Sequence, residues 1–259
     1  MLRDFGREKF DIIVQAGQSN SDGTGFGNAQ NPFKLDYRVW YLTGDWQVPK
    51  DFHFEPAREI IYDNLICSNF SLSFARRYIE DGRLEEGRKA LIIRAAVGGT
   101  GFLDGNWKPQ DPLFVRMMAM IKTALELNPE NRLTAALWHQ GETDASLNAS
   151  YDVHYNHLMT FIKLIRETYD APNLPFIAGD FVRQWSEMNA GIVAPVIKAM
   201  RAVCADAGSA AFVETDGLLS NDQDPNNNPC KGDTIHFCRQ ALYELGERYY
   251  EAFAGITGK

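Results

Sequence analysis

Four short polar motifs in the chain contain residues that could do chemistry. GQSN (residues 17–20), GGTG (residues 98–101) and WHQGETD (residues 138–144) each follow an apolar segment. DTIHF (residues 233–237) precedes the last helical pattern. Glycine, serine, asparagine and aspartate are common in turns, so any one motif alone could be a plain turn. Their shared position at the ends of regular elements makes the set more informative than its members.

Together, the four motifs contain the groups that nucleophilic ester hydrolysis needs. Ser19 is a candidate nucleophile and His236 a candidate general base. Asp233 lies three residues before His236, so it can bind the ring and select its tautomer. The backbone N–H groups of Ser19 and Gly99 and the side-chain amide of Gln140 are candidate donors to an oxyanion. These roles predict acyl transfer through a covalent intermediate.

A second carboxylate leaves the identity of the orienting acid open. Glu142 lies in the third motif and is another candidate partner for His236. Asp233 is favoured, because the short turn before His236 directs its carboxylate toward the ring. If Asp233 is the acid, we expect Glu142 to order its loop or to contact Ser19 or the substrate.

The elements that must position these motifs follow from the apolar pattern. Five nearly continuous apolar runs predict strands buried on both faces of a parallel sheet; they are residues 10–16, 90–96, 133–138, 176–179 and 211–213. Apolar residues at helical spacing predict helices, at residues 113–127, 151–169, 191–207 and 239–253. The alternation predicts an α/β sandwich with right-handed crossovers, organised as one domain over residues 1–259.

Two long segments show no regular pattern. Residues 20–58 and 217–235 are rich in Gly, Asn, Asp and Pro. Ligands bind beyond the carboxyl ends of the strands in open α/β sheets, and long loops in such domains are often functional. We therefore expect both segments to border the site.

Composition and charge exclude several classes of protein. The 259 residues are 45% hydrophobic and 23% charged, which is ordinary for a globular chain. The net charge of −8 disfavours nucleic acid and anionic membrane surfaces as partners. No signal-peptide core or membrane-spanning run is evident, which predicts a cytoplasmic protein. The four cysteines are expected to be thiols, since they are too few for a disulfide scaffold; they are Cys67, Cys204, Cys230 and Cys238.

The motifs in this order resemble the SGNH (GDSL-like) hydrolase superfamily. Within it, the chain is similar to the branch of sialate O-acetylesterase-like proteins and carbohydrate esterase family 6 acetylxylan esterases. The resemblance spans about residues 10 to 250. It implies a flavodoxin-like, three-layer α/β/α fold with a five-stranded parallel sheet, a Ser19–His236–Asp233 triad and no cofactor. Gln140 stands where the wider superfamily usually has an Asn as oxyanion donor.

The same resemblance implies an acetylated carbohydrate as substrate. Acetylated xylo-oligosaccharides are the first expectation, and O-acetylated sialic acids are the alternative. Asn20, Arg94 and Trp107 are expected to contact the sugar. Tryptophan rings can stack on sugars, and four tryptophans lie in or near predicted loops: Trp40, Trp46, Trp107 and Trp185. Oligomeric state is left open.

Two other classes of function remain as alternatives. A metal-dependent hydrolase would use His154 and His157, three apart on a helix and expected near solvent, or His139 with Glu142. Neither set has the H-E-x-x-H pattern, and the loop with Asp222, Asp224 and Asn226 lacks the spacing of an EF-hand, so no metal is expected. A catalytically silent sugar-binding module is disfavoured by the intact Ser19, Asp233 and His236.

Overall fold

A seven-stranded sheet forms the centre of the computed structural model, which describes residues 5–48, 51–62, 64–226 and 228–258. A separate two-stranded antiparallel sheet pairs β4 with β5. The strands are β1 (Lys9–Gly17), β2 (Val39–Thr43), β3 (His53–Pro56), β4 (Ile60–Tyr62), β5 (Leu65–Cys67), β6 (Arg88–Arg94), β7 (Arg132–His139), β8 (Phe176–Gly179) and β9 (Ala210–Val213).

The strand order in the large sheet is β3-β2-β6-β1-β7-β8-β9. All neighbouring pairs are parallel except β2 with β3. The five predicted strands correspond to β1, β6, β7, β8 and β9. The prediction of a purely parallel, five-stranded sheet is wrong, because β2 and β3 extend the sheet into a mixed one of seven strands.

The two additional strands lie inside the segment predicted to be irregular. β2 has the sequence VWYLT, which is typical of a strand, but it is surrounded by turn-forming residues. β3 ends at Pro56 and lies at the edge of the sheet, where a missing backbone N–H is tolerated. Pairing with β6 and burial of Trp40 and Tyr41 stabilise β2 as a strand, and neither effect is local in sequence.

Helices connect the strands and cover the sheet. They are α1 (Ser19–Asp22), α2 (Ser71–Glu80), α3 (Pro112–Glu126), α4 (Glu142–Ser146), α5 (Tyr151–Thr168), α6 (Arg183–Met188), α7 (Ala190–Asp206) and α8 (Arg239–Thr257), with a short 3₁₀ turn at Asn228–Cys230. The four predicted helices correspond to α3, α5, α7 and α8. Helix α2 packs against α8, and α5 packs against α7. Helix α2 was not predicted, because Ser71 and Ser73 occupy its buried face and interrupt the apolar pattern.

The central strand β1 determines where the motifs meet. It is buried along almost its whole length, so it is covered on both faces. On one side of β1 the chain first forms β2 and β3 and then returns to form β6 next to β1, and on the other side it adds β7, β8 and β9 in order. The carboxyl ends of β1, β6 and β7 therefore lie side by side at a topological switch point, where open α/β sheets bind ligands.

Close contact between β1 and β7 requires glycine at the end of β1. Gly17 pairs with His139 and has a φ of +126°. A Cβ atom there would lie 2.1 Å from the carbonyl oxygen of His139. A larger residue at position 17 would push the two strands apart immediately before Ser19.

An ion-pair network ties the strands together at the opposite end of the sheet. Asp11 is fully buried and accepts hydrogen bonds from Arg88 Nε and Arg132 Nε, both at 2.7 Å. Its other oxygen accepts a hydrogen bond from the hydroxyl of Tyr78 at 2.8 Å. These contacts join β1, β6, β7 and α2 far from the polar motifs.

None of the helices in the described part of the chain has the length and apolar composition needed to cross a membrane. Cys67, Cys204 and Cys238 are free thiols, as expected from the sequence.

Candidate active site

Ser19 occupies the first position of α1, directly after β1. It is largely buried, with 9% of its surface exposed. The first N–H groups of a helix have no partner within the helix. No described group accepts a hydrogen bond from the N–H of Ser19 or from that of Gly99, which is exposed and has a φ of +71°. Both N–H groups are therefore free to bind an anion or oxyanion.

The structure brings Ser19, His236 and Asp233 together. His236 Nε2 lies 2.8 Å from Ser19 Oγ. His236 Nδ1 lies 2.9 Å from Asp233 Oδ1 and 3.0 Å from Asp233 Oδ2. Since a carboxylate only accepts hydrogen bonds, Nδ1 carries the proton and Nε2 can accept the hydroxyl proton of Ser19. This arrangement activates a serine for nucleophilic attack.

Asn221 holds the carboxylate of Asp233 in place. Its side-chain amide donates to Asp233 Oδ2 at 2.8 Å and to the carbonyl of Thr24 at 2.9 Å. Burial opposes ionisation of Asp233, but the hydrogen bond and charge of His236 and the hydrogen bond from Asn221 outweigh it, and the pKa of Asp233 is lowered. Asp233 therefore remains a carboxylate beside the imidazole. Asn221 was not predicted; it lies in the irregular segment, with no motif around it.

Glu142 lies near the site but does not orient His236. It is almost fully buried, and its Oε1 accepts a hydrogen bond from Asn20 Nδ2 at 2.9 Å. No ion pair within 4.0 Å joins it to His236 among the described residues. Burial raises the pKa of Glu142, and the Asn20 hydrogen bond and the charge of His236 only partly oppose this.

Asn20 supports the loop that carries His236. Its amide also donates to the carbonyl of Ile235 at 3.0 Å, and its oxygen accepts from the N–H of Phe237 at 3.0 Å. The side chain is fully buried, so the expectation that Asn20 contacts the sugar is wrong in this geometry. It connects Glu142 to the residues on both sides of the histidine.

Gln140 is fully buried and both of its amide hydrogens have acceptors. Nε2 lies 3.0 Å from Asp144 Oδ2 and 3.4 Å from Gln18 Oε1. An amide nitrogen has only two hydrogens to donate. The structure therefore does not leave Gln140 a hydrogen for an oxyanion, contrary to the role expected from the sequence.

Gln18 has the free amide that Gln140 lacks. Its Oε1 accepts from Thr143 N at 3.1 Å, from Gly141 N at 3.4 Å and from Gln140 Nε2. These contacts fix the side chain, and no described group accepts a hydrogen bond from its Nε2. Because Gln18 directly precedes Ser19, it is a candidate donor at the site. Sequence analysis did not predict this role for Gln18, although its place directly before Ser19 was an available signal.

The two remaining substrate candidates, Arg94 and Trp107, differ in position. Arg94 lies beside the site, and its Nη2 donates a hydrogen bond to Asp22 Oδ1 at 2.9 Å. Trp107 is fully buried, and its Nε1 donates to Thr100 Oγ1 at 2.9 Å, so it offers no face to a sugar and the expected contact is wrong. Trp40 and Trp185 are also buried, whereas Trp46 is exposed and lines a pocket with Arg94.

The candidate metal ligands do not gather into a cluster in the part of the chain that the structure describes. His154 is buried, not near solvent as expected, and its Nδ1 lies 3.4 Å from Asp144 Oδ2. His139 is buried, and its Nδ1 lies 2.9 Å from the hydroxyl of Tyr249. In the loop near residue 222, Asp222 accepts from Gly232 N and Asp224 from Asn226 N. Across the described ranges, no three or more His, Cys, Asp or Glu side chains form a metal-binding group.

Comparison with known proteins identifies relatives among carbohydrate esterases. The sequence model of the family described as "Carbohydrate esterase, sialic acid-specific acetylesterase" matches residues 9–255. A probable 9-O-acetyl-N-acetylneuraminic acid deacetylase of Escherichia coli (strain K12) is 26% identical over 120 aligned residues, which are 38% of this chain and 37% of that protein. A probable carbohydrate esterase of Arabidopsis thaliana is 25% identical over 266 aligned residues, covering 93% of this chain and 89% of that protein.

A solved structure has a similar fold. The crystal structure of NanS superimposes with a TM-score of 0.79 and 18% sequence identity, covering 96% of this chain and 98% of that chain. The likeness extends over almost the whole of both chains.

Proposed function

Because the chain belongs to the sialic acid-specific acetylesterase family of carbohydrate esterases and is a carbohydrate O-acetylesterase, we propose that it removes acetyl groups with Ser19 as the nucleophile. The observation that carries this proposal is the contact of 2.8 Å between Ser19 Oγ and His236 Nε2, on an imidazole held by Asp233. A hydroxyl bonded to the free nitrogen of an oriented imidazole is ready to lose its proton as it attacks.

In the first half of the proposed reaction, Ser19 becomes acetylated. His236 Nε2 takes the hydroxyl proton while Oγ forms a bond to the acetyl carbonyl carbon. The C–O bond to the sugar then breaks, and the protonated His236 gives its proton to the departing sugar hydroxyl. Asp233 stabilises the imidazolium during these steps without taking its proton.

The developing oxyanion needs fixed hydrogen-bond donors. We assign this role to the free N–H groups of Ser19 and Gly99. For the side-chain donor we propose Gln18 in place of Gln140, because Gln140 donates to Asp144 and Gln18 while Nε2 of Gln18 has no described acceptor. Donors that are held in place before the reaction stabilise the oxyanion without reorganisation.

In the second half, water releases acetate and restores the enzyme. His236 takes a proton from water, whose oxygen attacks the acetyl carbon on Ser19. The proton then passes from His236 to Ser19 Oγ as acetate leaves. The cycle consumes one water and needs no cofactor.

Two classes of acetylated sugar are candidate substrates. Acetylated xylo-oligosaccharides are the candidate that the sequence resemblance favours. O-acetylated sialic acids are the second candidate, supported by the name of the matched family and by the two guanidinium groups beside the site, Arg94 and Arg116.

The test is acetate release from a panel of esters by the wild type and by Ser19→Ala. The panel contains a chromogenic acetyl ester, acetylated xylo-oligosaccharides and an O-acetylated sialic acid. We expect release by the wild type and none above background by the variant. An active Ser19→Ala variant would overturn the nucleophile. A wild type that binds sugar but releases no acetate would favour the silent binding module.

A further inference from the structure

We propose that Asp144 is a positioning residue for the oxyanion donor Gly99, because its buried carboxylate holds the loop that contains this glycine. The loop is residues 98–103, which we call the glycine loop. The inference rests on the proposed function and adds to it a residue that acts through a neighbour and not on the reacting atoms. Asp144 ends the WHQGETD motif, and its place in the sequence alone indicates no role.

Asp144 is a fully buried carboxylate that is surrounded by donors. Its Oδ1 accepts a hydrogen bond from Leu103 N at 2.8 Å, and its Oδ2 accepts from Phe102 N at 3.2 Å and from Gln140 Nε2 at 3.0 Å. His154 Nδ1 lies 3.4 Å from Oδ2. Burial opposes ionisation of Asp144, but His154 and the two backbone N–H groups outweigh it, and the pKa of Asp144 is lowered. The group is therefore a carboxylate, which only accepts hydrogen bonds.

The glycine loop packs directly on this carboxylate. A Cβ atom on Gly101 would lie 2.8 Å from Asp144 Oδ1 and 3.0 Å from Gln140 Nε2. A side chain at position 101 would therefore displace either the carboxylate or the loop, and only glycine permits so close an approach. The carboxylate at position 144 explains why a glycine stands at position 101.

Gly99 has few contacts of its own. It is exposed, and a Cβ atom there would meet nothing within 4 Å. The position of its N–H therefore depends on the residues that flank it. On one side, Val97 N donates to the carbonyl of Gly17 at 3.1 Å, at the end of β1. On the other side, the carboxylate of Asp144 holds the end of the glycine loop.

The remaining hydrogen bonds of the glycine loop are local. In the part of the chain that the structure describes, those of Thr100 and Gly101 join residues at most seven positions apart. They shape the loop but do not tie it to the sheet. The ring of Phe102 also packs against Trp138, with 5.5 Å between the ring centres. We therefore expect loss of the carboxylate to displace the N–H of Gly99 without unfolding the loop.

Asp144 is separate from the three residues proposed to activate the nucleophile. None of its hydrogen bonds or ion pairs within the described ranges reaches Ser19, Asp233 or His236. Loss of its charge should therefore weaken stabilisation of the oxyanion and leave the contact between His236 and Asp233 intact. These two effects can be measured separately.

The test is Asp144→Asn, which keeps the size of the side chain but turns one acceptor atom into a donor. We expect kcat on a chromogenic acetyl ester to fall by about 10², since misplacing a group by about 1 Å can cost this much. KM should change by less than about threefold, because the interaction is made only in the transition state. Methylboronic acid, which forms a tetrahedral adduct with a nucleophilic serine, should inhibit the variant more weakly by a similar factor. The low-field NMR signal of the His236 Nδ1 proton should remain.

Two further variants make the comparison specific. Asp11→Asn is the matched control, since Asp11 is an equally buried carboxylate at the opposite end of the sheet; it should keep the wild-type kcat. Gly101→Ala leaves the carboxylate in place but pushes the glycine loop away from it, so it should lower kcat as Asp144→Asn does. Gly191→Ala is its control, because a Cβ atom at Gly191 meets nothing within 4 Å.

The outcomes separate the positioning role from the esterase. Wild-type kcat in Asp144→Asn or in Gly101→Ala would overturn the role of Asp144, while activity that is lost in Ser19→Ala would still support the proposed function. Loss of the His236 Nδ1 signal together with kcat would also overturn it, because the damage would then lie in the triad. A wild type inactive on the chromogenic ester would overturn the function itself. If Asp144→Asn fails to fold, Gly101→Ala tests the same contact.

Discussion

His236 Nε2 and Ser19 Oγ lie 2.8 Å apart although 217 positions separate the two residues in the chain. The contact joins the end of the central strand to the loop before the last helix. Asn20 fixes this junction, since it binds the backbone on both sides of His236. The contact between Ser19 and His236 therefore depends on the docking of α8 and its preceding loop against α1.

Removing the proposed nucleophile, Ser19, should abolish acetate release. For Ser19→Ala we expect kcat to fall by about 10⁶, as when a catalytic triad acts as a unit. Burst and steady-state acetate release from a chromogenic ester measure the loss. The melting temperature should stay near that of the wild type, because the hydroxyl is the only group removed. A kcat within tenfold of the wild type would contradict the assignment.

The two candidate acids should respond differently to loss of charge. Asp233→Asn is expected to lower kcat by about 10⁴, because the amide no longer selects the reactive tautomer of His236. Glu142→Gln keeps an oxygen to accept the hydrogen bond of Asn20, so we expect a loss of less than about tenfold. The two variants are compared by kcat on the same ester. The reverse order of losses would make Glu142 the acid.

Gln18 and Gln140 can be separated in the same way. Gln18→Ala should lower kcat by about 10² to 10³, as expected when one oxyanion donor is lost. Gln140→Ala should act mainly on stability, because it leaves the buried Asp144 with one fewer donor, at a cost of about 1–3 kcal/mol. Kinetics and chemical denaturation of both variants measure the two effects. If only Gln140→Ala lost kcat to this extent, Gln140 would be the donor.

The ion-pair network around Asp11 should matter for stability and not for chemistry. Asp11→Ala leaves Arg88 buried without its carboxylate partner, and breaking such a buried pair costs about 3–5 kcal/mol. Urea denaturation measures the loss of unfolding free energy. Activity per folded molecule should be unchanged, because Asp11 lies at the end of β1 opposite Ser19. A stable variant with reduced kcat would contradict this separation.

His139 should make the protein sensitive to acid. Burial lowers its pKa to about 3 in the folded protein, while the unfolded chain has a pKa of about 6.5. Below a pH of about 6.5 the unfolded state binds a proton that the folded state does not. The free energy of unfolding therefore decreases as the pH is lowered. The contribution of this one group is up to about 1.4 kcal/mol per pH unit between about 6.5 and about 3.

The variant His139→Phe tests that contribution. It removes the titrating group from a site already surrounded by the rings of Phe70, Phe237 and Tyr249. Loss of the contact with the Tyr249 hydroxyl should lower stability at all pH values. The slope of unfolding free energy against pH should nevertheless be shallower than in the wild type. Equal slopes would exclude His139 as the cause.

The sequence alone determined the pattern of strands and helices and the chemical groups at their ends. Continuous apolar runs predicted five of the parallel strands because a doubly covered strand must be apolar along its length. Ser19, Asp233 and His236 could be selected because few residue types act as nucleophile, acid and base, and because their motifs lie at the ends of elements. Local spacing was enough for these inferences.

Only the tertiary structure decided what each polar side chain binds. Gln18 and Gln140 have the same amide, but they have different hydrogen-bond partners, which only folding brings to them. β2 forms because β6 pairs with it, and Trp107 is buried because the core closes over it. Hydrogen-bond partners and burial depend on contacts between distant residues, and a linear sequence does not specify these contacts locally.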